Sequence, residues 1–204
     1  MANGNLLREK QMITTAPSIN FLDSISANVK LTTESRTVLL SHMQKDHFPK
    51  GHLLVPVGSI CNSVYYLERG LSRRFYLKDG KEVTEDFTAE NDFACSINGY
   101  ITGKADGRQT ELLEPSTVWS LPYHDLEKLY DRYHNIERLG RFLITRELVE
   151  MHERLSSLQF MSAPERYAAF VTRYPSLLQR VPLGIISSYL GVTQETLSRI
   201  RAKV

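Results

Sequence analysis

Cysteine is scarce in this chain of 204 residues, Cys61 and Cys95 being the only two. Two thiols cannot supply the four thiolates of a usual iron-sulfur cluster, and a chain of this size has no need of disulfide staples. They read either as buried, inert thiols or as a redox pair. Long apolar runs are missing too. No stretch approaches the roughly 18 residues that a membrane helix needs, and MANGNLLREKQ at the N-terminus has no apolar segment of signal-peptide length. A cytoplasmic location without membrane contact is expected. Histidine is short where a β-rich metalloenzyme would use it, since His52 is the only one between residues 50 and 121. A cupin-type centre needs clustered His and carboxylate ligands from neighbouring strands. His42, His47 and His52 are spaced by five and share no helix face, so they read as surface or turn histidines. No elbow motif surrounds any serine, and Cys95 has no histidine near it in sequence, so nucleophilic catalysis is not indicated. No enzyme, metal or cofactor is expected. An excess of charge is also lacking: 25 basic side chains face 23 acidic ones, a net +2, which by itself advertises no nucleic-acid partner.

What is present is a change of texture along the chain. Residues 1–17 are polar and aperiodic and are expected to fray. Residues 31–43 suggest a short amphipathic helix, with Thr33 as cap and Val38, Leu39 and Met43 on one face. Between residues 50 and 121 short apolar runs (HLLVPV, VYYLERG, LSRRFYL, VTEDF, TVWSL) are broken by Gly51, Gly58, Gly70 and Gly80, at the spacing of strands joined by tight turns. Lys78-Asp79-Gly80-Lys81 is the clearest hairpin signal, because Asp-Gly accepts positive φ. Many short strands of this kind suggest a sandwich or jelly roll.

From Asp125 the pattern is helical. Leu126, Leu129 and Tyr130 form a first face, and a long segment starts at Asn135, carrying Ile136, Leu139 and Leu143 and then Leu148, Met151, Leu155 and Leu158 at intervals of 3, 4 and 3. The last series is an a/d seam. It fits either a dimer interface or burial on the chain's own β-region. Ser162-Ala163-Pro164-Glu165 has the form of a capping box with proline in the first turn. Pro175 breaks the following helix, and Val181-Pro182 opens the next with proline at its first position.

The even balance of charge conceals a split. Residues 160–204 hold six basic side chains and two acidic ones, net +4, which leaves −2 for the rest. Within them, residues 183–201 read as helix, turn, helix: Ile186 and Leu190 face inward, Gly191 turns and Thr193 caps. Leu197, Ile200 and Val204 fall on one side of the second helix. The other side carries Glu195, Ser198, Arg199 and Ala202, flanked by Gln194, Thr196, Arg201 and Lys203. Such a face fits the major groove, about 12 Å wide. Arg199 suits guanine, Glu195 cytosine and Gln194 adenine, whereas Thr193, Thr196, Arg201 and Lys203 suit phosphates. A solvated terminal helix with cations at its C-terminal end is the other reading.

Two stretches resemble the CRP/FNR family of bacterial transcription regulators. Lys50-Gly51, Gly58, Val64-Tyr65-Tyr66-Leu67 and Glu68-Arg69-Gly70 are similar to its cyclic-nucleotide-binding-type β-roll, and residues 189–200, YLGVTQETLSRI, to its DNA-binding signature. The resemblance implies an α+β protein with an N-terminal double-stranded β-helix (jelly roll) sensor, a long dimerisation helix and a C-terminal helix-turn-helix domain of winged-helix type. The divisions expected are a flexible tail at 1–19, the sensor at 20–125, connecting helices at 126–160 and the head at 161–204. It also implies a homodimer through residues 135–158, double-stranded DNA with a pseudo-palindromic operator as partner, and RNA polymerase and an unidentified small-molecule effector as further partners. The alternative is a sensing module that does not itself bind DNA.

The family's cyclic-AMP cassette is not retained. Phe93-Ala94-Cys95-Ser96 stands where Phe-Gly-Glu is expected, and Asp106-Gly107 where Arg-Ser is, with Arg108 two places late. An aspartate would repel a phosphate, so loss of cyclic-AMP binding is expected, with Arg108 as the one residue that could restore an anion site. Family members often continue into a wing hairpin, whereas this sequence ends at Val204, which is expected to cost phosphate contacts.

Overall fold

The structure, a computed structural model, describes residues 29–105 and 107–202. The tail expected at 1–19 and the start of the division expected at 20–125 lie outside those residues, as do Asp106, Lys203 and Val204. A helix α1 (Thr33–Ser41) leads into eight strands, β1 (Gln44–Phe48), β2 (Leu53–Val55), β3 (Ser63–Arg69), β4 (Ser72–Lys78), β5 (Lys81–Thr88), β6 (Asp92–Ala94), β7 (Arg108–Leu112) and β8 (Ser116–Pro122). A short helix α2 (Ile97–Thr102) interrupts them after β6. The strands form two antiparallel four-stranded sheets, in the orders β1-β8-β3-β6 and β2-β7-β4-β5.

The strands exist because their side chains have two buried faces to fill. Leu67 and Val118 point between the sheets with Ala94 and Leu112. Their neighbours Tyr66 and Trp119 point the other way, onto helices. This period-2 alternation makes one sheet the middle layer of a sandwich. The β4–β5 hairpin turns at Asp79 (φ 51°) and Gly80 (φ 72°), with Lys78 opposite Lys81.

The outer layer comprises α1, α3 (Tyr123–Arg132) and the start of α4 (His134–Phe160). Leu39, Leu126, Leu129, Ile136 and Leu139 pack there on Tyr66, Trp119 and Leu121. Thr32, not Thr33, caps α1, its side chain accepting from Ser35 N. No described helix is long and apolar enough to cross a membrane. At 27 residues α4 runs for about 40 Å, and only its first turns are buried. Beyond them Ile144, Leu148, Met151, Leu155 and Leu158 stand exposed on one face, Leu148 at 63%.

Four helices complete the fold: α5 (Ala163–Arg173), α6 (Leu177–Arg180), α7 (Leu183–Leu190) and α8 (Gln194–Arg201). The capping box forms as expected, Ser162 N donating to Glu165 at 2.7 Å and the Ser162 side chain accepting from the Glu165 backbone N–H, and Ser162 Oγ also lies 2.7 Å from the same carboxylate. Pro182 occupies the cap of α7, one place earlier than the sequence suggests, and the helix begins at Leu183. The core of these helices is not closed on itself. Tyr167, Phe170, Leu177, Ile186, Tyr189, Leu190 and Leu197 share one buried cluster with Leu71, Phe87 and Leu113 of the β-region.

Candidate nucleic-acid interface and sensor cavity

The turn between α7 and α8 is set by Gly191, at φ 66°, which lets the Val192 N–H reach back to Ser187 O at 3.1 Å. Thr193 then starts α8, its hydroxyl accepting from Thr196 N at 3.1 Å. Leu197 and Ile200 anchor the inner face. Thr193, Gln194, Glu195, Ser198, Arg199 and Arg201 are exposed and Thr196 is half-buried. Arg199 meets Glu195 at 3.8 Å one turn away, both well exposed. Such an exposed pair contributes at most about 1 kcal/mol, so both groups are free to exchange each other for base edges.

α7 leans on β5. Ser188 Oγ donates to Thr84 Oγ1 (2.7 Å) and accepts from Thr84 N (3.2 Å). Phe87 sits among Phe170, Tyr174 and Tyr189 with ring centroids 5.2–6.2 Å away. Arg180 binds Glu114 at 2.6 Å and Glu90 at 2.7 Å. Hydrogen bonding from Glu114 and then Glu90 pushes the Arg180 guanidinium further up. Burial alone would raise Glu90, but Arg180 beside it outweighs that and holds it low. From α4, the Arg154 guanidinium lies 3.9 Å over the Tyr189 ring and donates to the Tyr189 carbonyl.

Inside the sandwich a polar cavity of about 10 Å³ is lined by Phe93, Ala94 and Cys95 with Ser72, Arg74, Asp86, Thr88, Thr110 and Glu147. It has room for one water. Arg74 spans it, Nη1 donating to Cys95 O and Nη2 to Glu147 on α4, each at 3.0 Å. Ser72 Oγ and Arg74 Nε are buried there without a hydrogen-bond partner. Burial lifts the Asp86 carboxyl to about 6; Arg74 opposes the shift and Glu147 adds to it. Burial, with Glu147, pushes the Cys95 thiol up to about 12, so it is protonated and a poor nucleophile at neutral pH. Cys61 is buried, and both cysteines are free thiols. A second, apolar cavity of about 90 Å³ lies under α1, α3 and α4, bordered by Leu39, Leu121, Leu126 and Ile136.

Two curated relatives match most of the chain. The fumarate and nitrate reduction regulatory protein of Vibrio cholerae is 26% identical over 170 residues, the match covering 77% of this chain and 67% of that protein. The anaerobic regulatory protein of Haemophilus influenzae is 26% identical over 171 residues, covering 77% of this chain and 65% of its own length. The chain thus spans about two thirds of these relatives. A solved transcriptional regulator of the CRP/FNR family from Eubacterium rectale superposes with a TM-score of 0.68 at 16% identity, over 89% of this chain and 85% of that one. No protein-family model matches. The chain is similar to transcription regulators of the CRP/FNR type.

The residues expected to read DNA lie on the outer side of α8 (Glu195, Ser198, Arg199) and at its cap and flanks (Thr193, Gln194, Thr196, Arg201), and Lys203 is outside the described residues. The residues expected in the effector pocket are not all together. Phe93, Ala94 and Cys95 line the polar cavity. Ser96 turns away to cap α2, accepting from Gly99 N at 3.0 Å. Arg108 stands exposed on β7, donating to Glu85 at 2.7 Å, and does not border the cavity. The charged groups that do, Arg74, Asp86 and Glu147, escaped the sequence reading. Their signal was the Arg73-Arg74 doublet ahead of the apolar run Phe75-Tyr76-Leu77 in β4. Alternation sends the two to opposite faces: Arg74 borders the cavity, while Arg73, itself buried, pairs with Glu82 (2.6 Å) and Glu111 (2.7 Å).

Proposed function

We propose that this protein is a sequence-specific DNA-binding transcription regulator that acts as a homodimer. In this reading the two sheets are a jelly-roll sensor and α7–α8 a helix-turn-helix, with the divisions 20–125, 126–160 and 161–204. The outer face of α8 carries the proposal, because its exposed side chains are small or polar around Arg199 and nothing bulky obstructs groove entry. Arg199, Glu195 and Gln194 read bases, with Ser198 beside them on the outer face; Thr193, Thr196, Arg201 and Lys203 hold backbone.

The second copy is called for by the exposed seam of α4, where five large apolar side chains recur at intervals of 4, 3, 4 and 3. A two-fold dimer presents its α8 helices to half-sites about 34 Å apart, hence to a pseudo-palindrome. Cyclic AMP is not the effector. The cavity is filled by the Arg74–Glu147 pair, and Asp86 and Glu147 together oppose a phosphate.

The deciding experiment selects duplexes from a random-sequence pool with the full-length protein and measures the winners by gel shift. A pseudo-palindromic consensus retained at about 0.15 M salt is expected. Recovery of no consensus overturns the reading in favour of a sensing module without DNA.

A further inference from the structure

Arg74 touches several working parts from one place in β4. It holds Glu147 on α4, whose next residue, Leu148, is on the exposed seam. It holds the Cys95 carbonyl, just past β6. Its charge also faces Asp86 on β5, and Asp86 in turn bears electrostatically on Tyr174 and Tyr189 of the C-terminal head. Strand β5 alternates between the two roles: Thr84 and Phe87 grip the head, while Asp86 and Thr88 border the cavity. Any movement of β5 relative to α4 must therefore stretch what Arg74 joins.

The cavity has no room for a metabolite, yet two buried polar atoms in it make no hydrogen bond, Ser72 Oγ and Arg74 Nε, the latter only ion-paired with Glu85 on β5 at 3.6 Å. One water can serve both. An arginine at this place is costly to bury, and a well-packed apolar side chain would serve stability as well. Its distinctive contribution is a planar, multi-donor cation that can bind groups on separate elements at once.

We propose that the Arg74 guanidinium, with one bound water, is a built-in effector: it occupies the sensor cavity in place of a diffusible ligand and ties β5, with the head docked on it, to α4. For its DNA readout the proposal rests on the regulator reading above. Removing the side chain leaves Asp86 and Glu147 facing one another across a widened cavity. The head then loosens from β5, and the α8 helices of a dimer lose their fixed separation.

The test uses the full chain and amide hydrogen exchange at residues 84–88 and 183–190. Arg74→Ala is expected to raise exchange there about tenfold, and millimolar methylguanidinium to restore protection while neutral methylurea does not. Wild-type exchange is expected to ignore methylguanidinium and cyclic AMP alike. Exchange within about twofold of wild type in Arg74→Ala, equal rescue by methylurea, or protection of β5 by cyclic AMP in the wild type would each overturn the proposal. If Arg74→Ala loses its cooperative melt, Glu147→Gln is read instead. That variant keeps the shape, and raised exchange at 183–190 supports the link while unchanged exchange refutes it. Duplexes selected by the wild type give the second readout, with weakened binding by Arg74→Ala expected. If the wild type selects no duplex, the regulator reading fails while the exchange data still decide the role of Arg74.

Discussion

Glu195 and Arg199 are already paired in the unbound protein, and the pair is too exposed to hold either of them back. Arg199→Ala is expected to cost about 1–3 kcal/mol of specific binding and to relax one operator position, whereas Lys203→Ala weakens all sequences alike. Competition gel shifts with single-base operator variants check both. Asp86 gives a prediction of another kind. Its folded value of about 6 lies above the ordinary 3.8, so the folded state holds the proton more tightly than the unfolded chain does. That contribution to stability is complete below about pH 4 and is lost as pH rises through about 6. Asp86→Asn, neutral throughout, is expected to melt above wild type beyond pH 6, by at most about 3 kcal/mol, with the two curves converging toward pH 4. The groups that act on Asp86 (Arg74, Glu147 and Glu150) and those it acts on (Arg154, Tyr174 and Tyr189) are all retained in that variant. Thr193, Asp79-Gly80 and Ser162…Glu165 were legible in the sequence because caps and tight turns are local chemistry. Arg74 was not. Its inward orientation depends on strand register, which shifts between Arg74 and Phe75.

At the scale of elements, the seam of α4 was legible because side chains at a regular interval leave a pattern even when their partner is unknown. Leu148→Glu with Leu155→Glu is expected to convert a dimer into a monomer by light scattering, with little change in helix content. The polar strand β1 (QKDHF) and the short β6, β7, α2 and α6 were not legible, since three to six residues carry too little period to separate strand from loop. The β3–β4 turn shows how tightly such connections are built. Gly70 has φ 114°, and a Cβ there would lie 2.0 Å from Ser116 Oγ and 2.9 Å from the Ser116 Cα. Its N–H donates to Glu90 at 3.1 Å, the same carboxylate that binds Arg180. Gly70→Ala is therefore expected to lose about 1–3 kcal/mol or more through strain and clash, read as a lowered denaturant midpoint.

Across the whole molecule, the basic excess of the last fifth is largely used internally. Arg180 serves Glu90 and Glu114, Arg173 serves Glu150 and Glu153, and Arg166 donates to the carbonyls of Leu190 and Met161. Counting charge along the chain could not reveal this, because the acidic partners of Arg180 are some 66 and 90 residues away. Among the described residues of that stretch Arg199 and Arg201 stay exposed, and in the proposed reading they and Lys203 are the bases that meet DNA. With about two phosphates neutralised per protomer, the logarithm of affinity is expected to fall against the logarithm of salt with a slope near −4. A titration by fluorescence anisotropy checks this, and a slope near −10 would mean that other bases are engaged. The shared core has a further consequence for how such a protein can be recombined. Because Leu71, Phe87 and Leu113 complete the packing of Phe170, Tyr189 and Leu197, a head grafted onto a foreign sensor would arrive with part of its interior missing. The inheritable module is the head together with the β4–β5 hairpin, led in by Leu71, and the β7–β8 turn that carries Leu113, and a working chimera has to carry them all.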